Sequence, residues 1–149
     1  MNEGRSIQEE FLLEFIQKCK EFGLKITPQR MAIYKEVLNS GNHPSAEVIY
    51  KRVKQSHPAI SFDTVNRTLL TFAEIGLLEI VEGSGDVRRF DPNTKNHHHF
   101  RCRNCGKIVD FYYDKYNNLE VPEQIKKKFD IKKIRVILDG ICDECKKEI

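Results

Sequence analysis

Two Cys-x-x-Cys pairs, Cys102-Arg103-Asn104-Cys105 and Cys142-Asp143-Glu144-Cys145, constrain this chain more than any other feature. Two residues between cysteines let both thiolates of a tight turn point at one ion. Gly106, after the second cysteine, supplies the backbone angle that such a turn often needs. Four thiolates in a tetrahedron favour zinc and leave no open position, so the expected role is structural, with one Zn2+ per subunit. The residues between the pairs, 106–141, are more than a compact zinc ribbon holds, so a strand and a helix must lie between them. The competing reading is cysteines that merely pack or form labile disulfides. A reducing compartment disfavours the second of these. The polar, acidic start MNEGRSIQEEF lacks the basic and apolar parts of a signal peptide, and no apolar run reaches bilayer-spanning length. A cytoplasmic protein with no membrane partner is expected.

Bulk charge says little about partners. The net charge is +3, but residues 1–91 carry 12 Lys/Arg against 13 Asp/Glu, and residues 92–149 carry 13 against 9. If the N-terminal half binds nucleic acid, its basic residues must cluster locally.

Apolar periodicity organises that half. Phe11, Leu12, Phe15, Ile16, Cys19 and Phe22 form one helical stripe from Ile7 to Phe22, closed by Gly23. Thr27-Pro28 opens a second helix, with Ile33, Val37 and Leu38 inward. Asn39-Ser40-Gly41-Asn42 is turn chemistry. Ala46 to about Lys54 is a third helix, with Val48, Ile49 and Val53 inward. Ser61 caps a fourth that runs to Ile75, with Val65, Leu69, Phe72 and Ala73 inward. Leu77–Val81 and Val87–Phe90 then alternate as a β-hairpin around Gly83-Ser84-Gly85-Asp86. Helices followed by such a hairpin predict a winged helix-turn-helix, with Ser61–Ile75 as recognition helix. Asp91 to Asn96 is a polar linker. Beyond it, strands over His98–Cys102, Lys107–Tyr113 and Ile131–Leu138, with a helix over Glu120–Phe129, predict a small α+β domain. The expected organisation is therefore α+β: a winged-helix domain over 1–90, a hinge over 91–96 and a metal-binding domain over 97–149. Lys126-Lys127-Lys128 reads as a solvated helix end.

A second cluster is weaker. His97 and His99 share one face of a strand and can chelate an ion together, while His98 points away. Asp91 and Asp110 are near in sequence, and His43 begins a helix. Three imidazoles and two carboxylates suit Fe(II), Mn(II) or Zn(II). Solvated surface histidines are the competing reading, and His43 alone could be a turn residue before Pro44. His57 reads as surface and Cys19 as core.

In order, Ile26-Thr27-Pro28-Gln29-Arg30, His43-Pro44-Ser45-Ala46, Ser61-x-x-Thr64-Val65, Arg89-Phe90-Asp91, His97-x-His99-x-x-Cys102-x-x-Cys105-Gly106-Lys107-Ile108-Val109-Asp110-Phe111 and Gly140-x-Cys142-x-x-Cys145 resemble the Fur family of metal-dependent transcription regulators over essentially the whole chain. The likeness is greatest to the peroxide-sensing PerR type, whose sensing metal is held by residues matching His43, Asp91, His97, His99 and Asp110. Iron-uptake regulators usually have glutamate at Asp110, and an iron-responsive repressor is the alternative reading. The resemblance implies a homodimeric repressor, not an enzyme, dimerised through the metal-binding domain over 97–149, with one regulatory Fe2+ or Mn2+ per subunit, binding a palindromic operator in double-stranded DNA. Some iron-sensing members hold a further metal. Its other ligand positions appear here as Asn96, Asn117 and Ile134, and His98 alone cannot hold an ion, so that site is not expected. The family's tyrosine after Thr-Val is Asn66 here. An asparagine can pair with adenine where a tyrosine would touch a thymine methyl, so the operator is expected to differ. The expected DNA contacts are Lys25, Arg30, Thr64, Asn66, Arg67 and Arg88.

Overall fold

Hydroxyl caps set where the helices begin. Ser6, Thr27, Ser45 and Ser61 each accept a hydrogen bond from the backbone N–H three residues on, and each sits in extended backbone just before a helix. The computed structural model describes residues 6–41, 43–82 and 87–147 and divides into two units, Met1–Thr94 and Lys95–Ile149. Among the described residues, no helix is long and apolar enough to cross a membrane.

The first unit contains α1 (Ile7–Glu21), α2 (Pro28–Asn39), α3 (Ala46–Ser56) and α4 (Phe62–Glu74), then β1 (Glu79–Glu82) and β2 (Arg88–Asp91). α1 ends as expected. Gly23 adopts φ +66°, the N–H of Gly23 bonds the carbonyl of Lys20, and the N–H of Leu24 bonds that of Cys19. Phe15, Tyr34 and Phe72 lock α1, α2 and α4 together. Phe15 stacks on Tyr34 at 4.7 Å between ring centroids, and Phe72 meets both edge-on. Cys19 is fully buried in this core, and burial pushes its thiol up from the ordinary value. β1 and β2 pair antiparallel from Glu79↔Asp91 to Glu82↔Arg88. The expected turn residues Gly83, Ser84, Gly85 and Asp86, like Asn42, lie outside the described residues.

Two inward assignments are corrected. Val48 is exposed, because α3 faces the core along Ala46, Ile49 and Val53, and Val48 lies one step round from that line. Phe22 is exposed because it sits at the C-cap of α1, beyond the last helical residue of the stripe. Replacing Ser61 with alanine leaves the N–H of Thr64 without its cap and is expected to cost about 1 kcal/mol. Thermal melting of the variant checks this.

The second unit contains β3 (His98–Cys102), β4 (Ile108–Phe111), α5 (Asp114–Asn117), α6 (Glu123–Lys128), β5 (Ile137–Gly140) and α7 (Asp143–Lys146). β3 is central, antiparallel to β4 and parallel to β5. Sequence periodicity places the last strand too early. Only Ile137–Gly140 face β3, and the N–H of Val136 goes to the His98 ring at 3.0 Å instead of to a ladder. The expected helix over Glu120–Phe129 is shorter, since Pro122 stands at its N-cap and disfavours helical backbone at Val121. Its expected inward residues Ile125 and Phe129 are exposed. The short α5 carries no periodic signal in the sequence.

Candidate metal centres and nucleic-acid interface

In the second unit, four thiols converge. The Sγ atoms of Cys102, Cys105, Cys142 and Cys145 all lie within 4.8 Å of one another, and Cys105 and Cys142 are 3.8 Å apart. A zinc tetrahedron with bonds of about 2.3 Å has thiolate edges of roughly 3.8 Å, so the donor set fits that ion. Gly106 takes φ +79°, the turn angle expected of it. β3 delivers Cys102, and the N-terminus of α7 delivers Cys142 and Cys145. The Cys102 position is also built for a thiolate. Backbone N–H groups of Cys105 and Cys142 point at Cys102 Sγ at 3.5 and 3.3 Å. These two hydrogen bonds, that from Cys105 first, hold the Cys102 thiol well below the usual range, at about 6. The Asn104 amide donates to Cys145 Sγ at 3.2 Å, a contact the sequence did not announce. Among the described residues, the buried apolar side chains of this unit are only Cys102, Cys142 and Cys145, with Phe100 packed against them.

The same unit carries a second donor group. His99 Nε2 is 3.1 Å, and His97 Nε2 3.6 Å, from Asp110 Oδ1. Register explains this, because His99 sits opposite Asp110 in the β3–β4 ladder. His97 Nδ1 lies 2.6 Å from the Lys95 carbonyl oxygen, which can only accept. The proton is therefore on Nδ1, and Nε2 is left as the ligating nitrogen. His98 points the other way, as expected. Its Nδ1 accepts from Val136 N–H, so Nε2–H donates to Asn117 Oδ1 at 2.7 Å. Phe111 and Tyr116 flank the ring. Both nitrogens of His98 are thus taken up by its own unit.

The first unit carries a matching pair. His43 Nε2 is 3.3 Å from Asp91 Oδ2, although 48 positions separate them in the chain. The segment leading into α3 is stitched to β2: Phe90 N–H bonds the Pro44 carbonyl, Ser45 bridges Arg89, and the Arg89 guanidinium donates to the His43 carbonyl. Asn93 N–H donates to Asp91 Oδ1 and fixes the carboxylate. Imidazole nitrogen with carboxylate oxygen is the chemistry of Fe(II) and Mn(II) ligands, so each group fits such an ion.

The expected nucleic-acid residues also lie in the first unit. Arg30, Thr64 and Arg67 line one groove with Thr68 and Thr71, between α2 and α4. Asn66 and Arg88 line another with Phe62 and Val87. Lys25 precedes α2, and its carbonyl accepts from the Arg30 guanidinium. Arg67 is ion-paired with Asp63, a partner four residues earlier that charge spacing could have revealed.

Comparisons with known proteins accord with this arrangement. Residues 21–139 match the model of the ferric uptake regulator family. The chain is 39% identical over 146 residues to the peroxide-responsive repressor PerR of Staphylococcus epidermidis, covering 98% of this chain and 97% of that protein. It is similar in structure to the Helicobacter pylori ferric uptake regulator, with TM-score 0.70, 24% identity and 95% of each chain covered. PerR from Streptococcus pyogenes superposes with TM-score 0.51 at 28% identity, over 89% of this chain and 90% of that one. By family match and by near full-length identity, this chain belongs to the ferric uptake regulator family of metal-dependent transcription regulators, which are not enzymes.

Proposed function

We propose that the chain is a cytoplasmic, homodimeric repressor that senses peroxide through one Fe2+ or Mn2+ per subunit and is held in shape by one structural Zn2+. The observation that carries this reading is the bracketing of the 91–96 linker. An imidazole–carboxylate pair, His43 with Asp91, ends one unit, and His97, His99 and Asp110 open the next. Two ligands from the first half and three from the second would give five, one short of an octahedron. One ion shared by both halves would select a single hinge state and so set the spacing of two recognition helices on a palindromic operator. The exposed apolar residues Ile125, Phe129, Ile137 and Leu138 suit contact with a second copy.

Fe(II) bound there would supply reactivity towards hydrogen peroxide, delivering an oxidant to an adjacent imidazole. His43 and His97 are the candidate targets of that chemistry by position. An oxidised imidazole binds metal poorly, so the hinge would relax and release DNA. Mn(II) would support DNA binding without this step. Likeness to the peroxide-responsive relatives supports the reading. The test is mass spectrometry of the iron-loaded dimer after peroxide. A gain of one oxygen on a peptide containing His43 or His97, absent from the manganese form, is expected. An unmodified iron form whose DNA affinity follows only the iron concentration would instead indicate the iron-responsive repressor.

A further inference from the structure

We propose that Asp63 sets the base preference of α4 by holding Arg67 in one pose, so that the guanidinium reads guanine at one position of each operator half-site. The inference rests on the DNA-binding reading above and goes beyond it. At about 100° per residue, Asp63 and Arg67 fall on the crown of α4, directly opposite the core residues Val65, Leu69 and Phe72. This is the face a recognition helix turns to a groove. The Arg67 guanidinium donates to the Asp63 carboxylate through Nη2. Both side chains are largely exposed, at 75% and 68%, so the pair adds little to folding stability.

What such a pair can do is geometric. An arginine reads guanine O6 and N7 through two parallel hydrogen bonds, which require its plane to be fixed. A free arginine loses several rotamers on doing so. One already anchored through a single nitrogen keeps its other donors for the base and loses fewer. Its neighbours offer no substitute, because the hydroxyls of Thr68 and Thr71 donate inward to the carbonyls of Thr64 and Arg67. The carboxylate also disfavours approach to phosphate and can accept from the amino group of a cytosine. Asp63 thus lowers affinity for DNA in general while sharpening the choice among sequences.

The test uses the manganese-loaded, zinc-replete dimer. A duplex is first selected by the unaltered protein from a random palindromic library, and every base pair is then substituted singly. Replacing the guanine pair read by Arg67 is expected to weaken binding of the unaltered protein about tenfold. In Asp63→Ala that penalty should fall below about threefold, while affinity for an unrelated duplex rises and its salt dependence steepens by about one ion. Asp63→Asn, which can still accept from arginine, should retain part of the preference. Combining Asp63→Ala with Arg67→Ala should remove no more discrimination than Arg67→Ala alone. An Asp63→Ala protein with an unchanged substitution profile, or one weakened equally on all duplexes with a lowered melting temperature, overturns the proposal. Failure of the unaltered protein to enrich any sequence overturns the DNA-binding reading itself.

Discussion

Cys102→Ser is expected to unfold the second unit and leave the first intact. The second unit has little else to hold it: its buried apolar side chains among the described residues are three of the four cysteines, with Phe100 against them. A structural zinc contributes about 10–16 kcal/mol to the folding of a small domain, far more than so small an apolar cluster can. Cys102 is the most costly thiol to replace, because it ends the central strand and receives the N–H groups of Cys105 and Cys142. The variant should lose its zinc by elemental analysis, lose the sheet signals of 98–140 in amide spectra, and sediment as a monomer. The first unit should still melt cooperatively, since Phe15, Tyr34 and Phe72 pack without help from the second. A folded, zinc-free dimer would refute the assignment of that ion as the core of the domain.

The second large effect is expected from His43→Ala. It removes one of the two ligands that the first unit is proposed to offer. Manganese should then no longer stimulate operator binding, with affinity falling about 100-fold under saturating metal. The reasoning is one of differential affinity: an ion favours the closed hinge only to the extent that it binds that state better than the open one. Without the imidazole, the remaining Asp91 would make that difference small. Zinc content and the melting of both units should be unchanged, because the His43 backbone contact to Arg89 uses the carbonyl and survives the substitution. Fluorescence anisotropy with and without manganese measures the effect. Metal stimulation that persists in His43→Ala would mean that the ion is held by the second unit alone.

These sites were legible in the sequence to different degrees, for physical reasons. Local chemistry was readable. Thr27, Ser45 and Ser61 act within three residues of their own position, and the cysteine pairs each close within one turn. Pairing across strands was half readable. Alternation puts His97 and His99 on one side and His98 on the other, but that His99 meets Asp110 depends on the β3–β4 register. Distant pairing was not readable from spacing. Nothing in the chain between His43 and Asp91 announces that Pro44 bonds Phe90 and brings the two together; only the family resemblance joined them. The late start of β5 and the exposure of Ile125 and Phe129 have a related cause. Periodicity records that a face is apolar, and says nothing of which surface covers it.

The parallel pairing of β3 with β5 has a consequence for biosynthesis. The two cysteine pairs are joined across a loop in which Cys102 and Cys142 stand 40 residues apart, so the central strand emerges from the ribosome well before the partner that completes its sheet and its four-cysteine cluster. The helical unit lies wholly ahead of the second unit in the chain and can reach its final form while the rest is still being translated. Until the last pair of thiols arrives, the nascent chain therefore carries a finished N-terminal unit on an unfinished tail. Zinc supply, and not the strength of the helical core, would then limit how quickly new molecules mature.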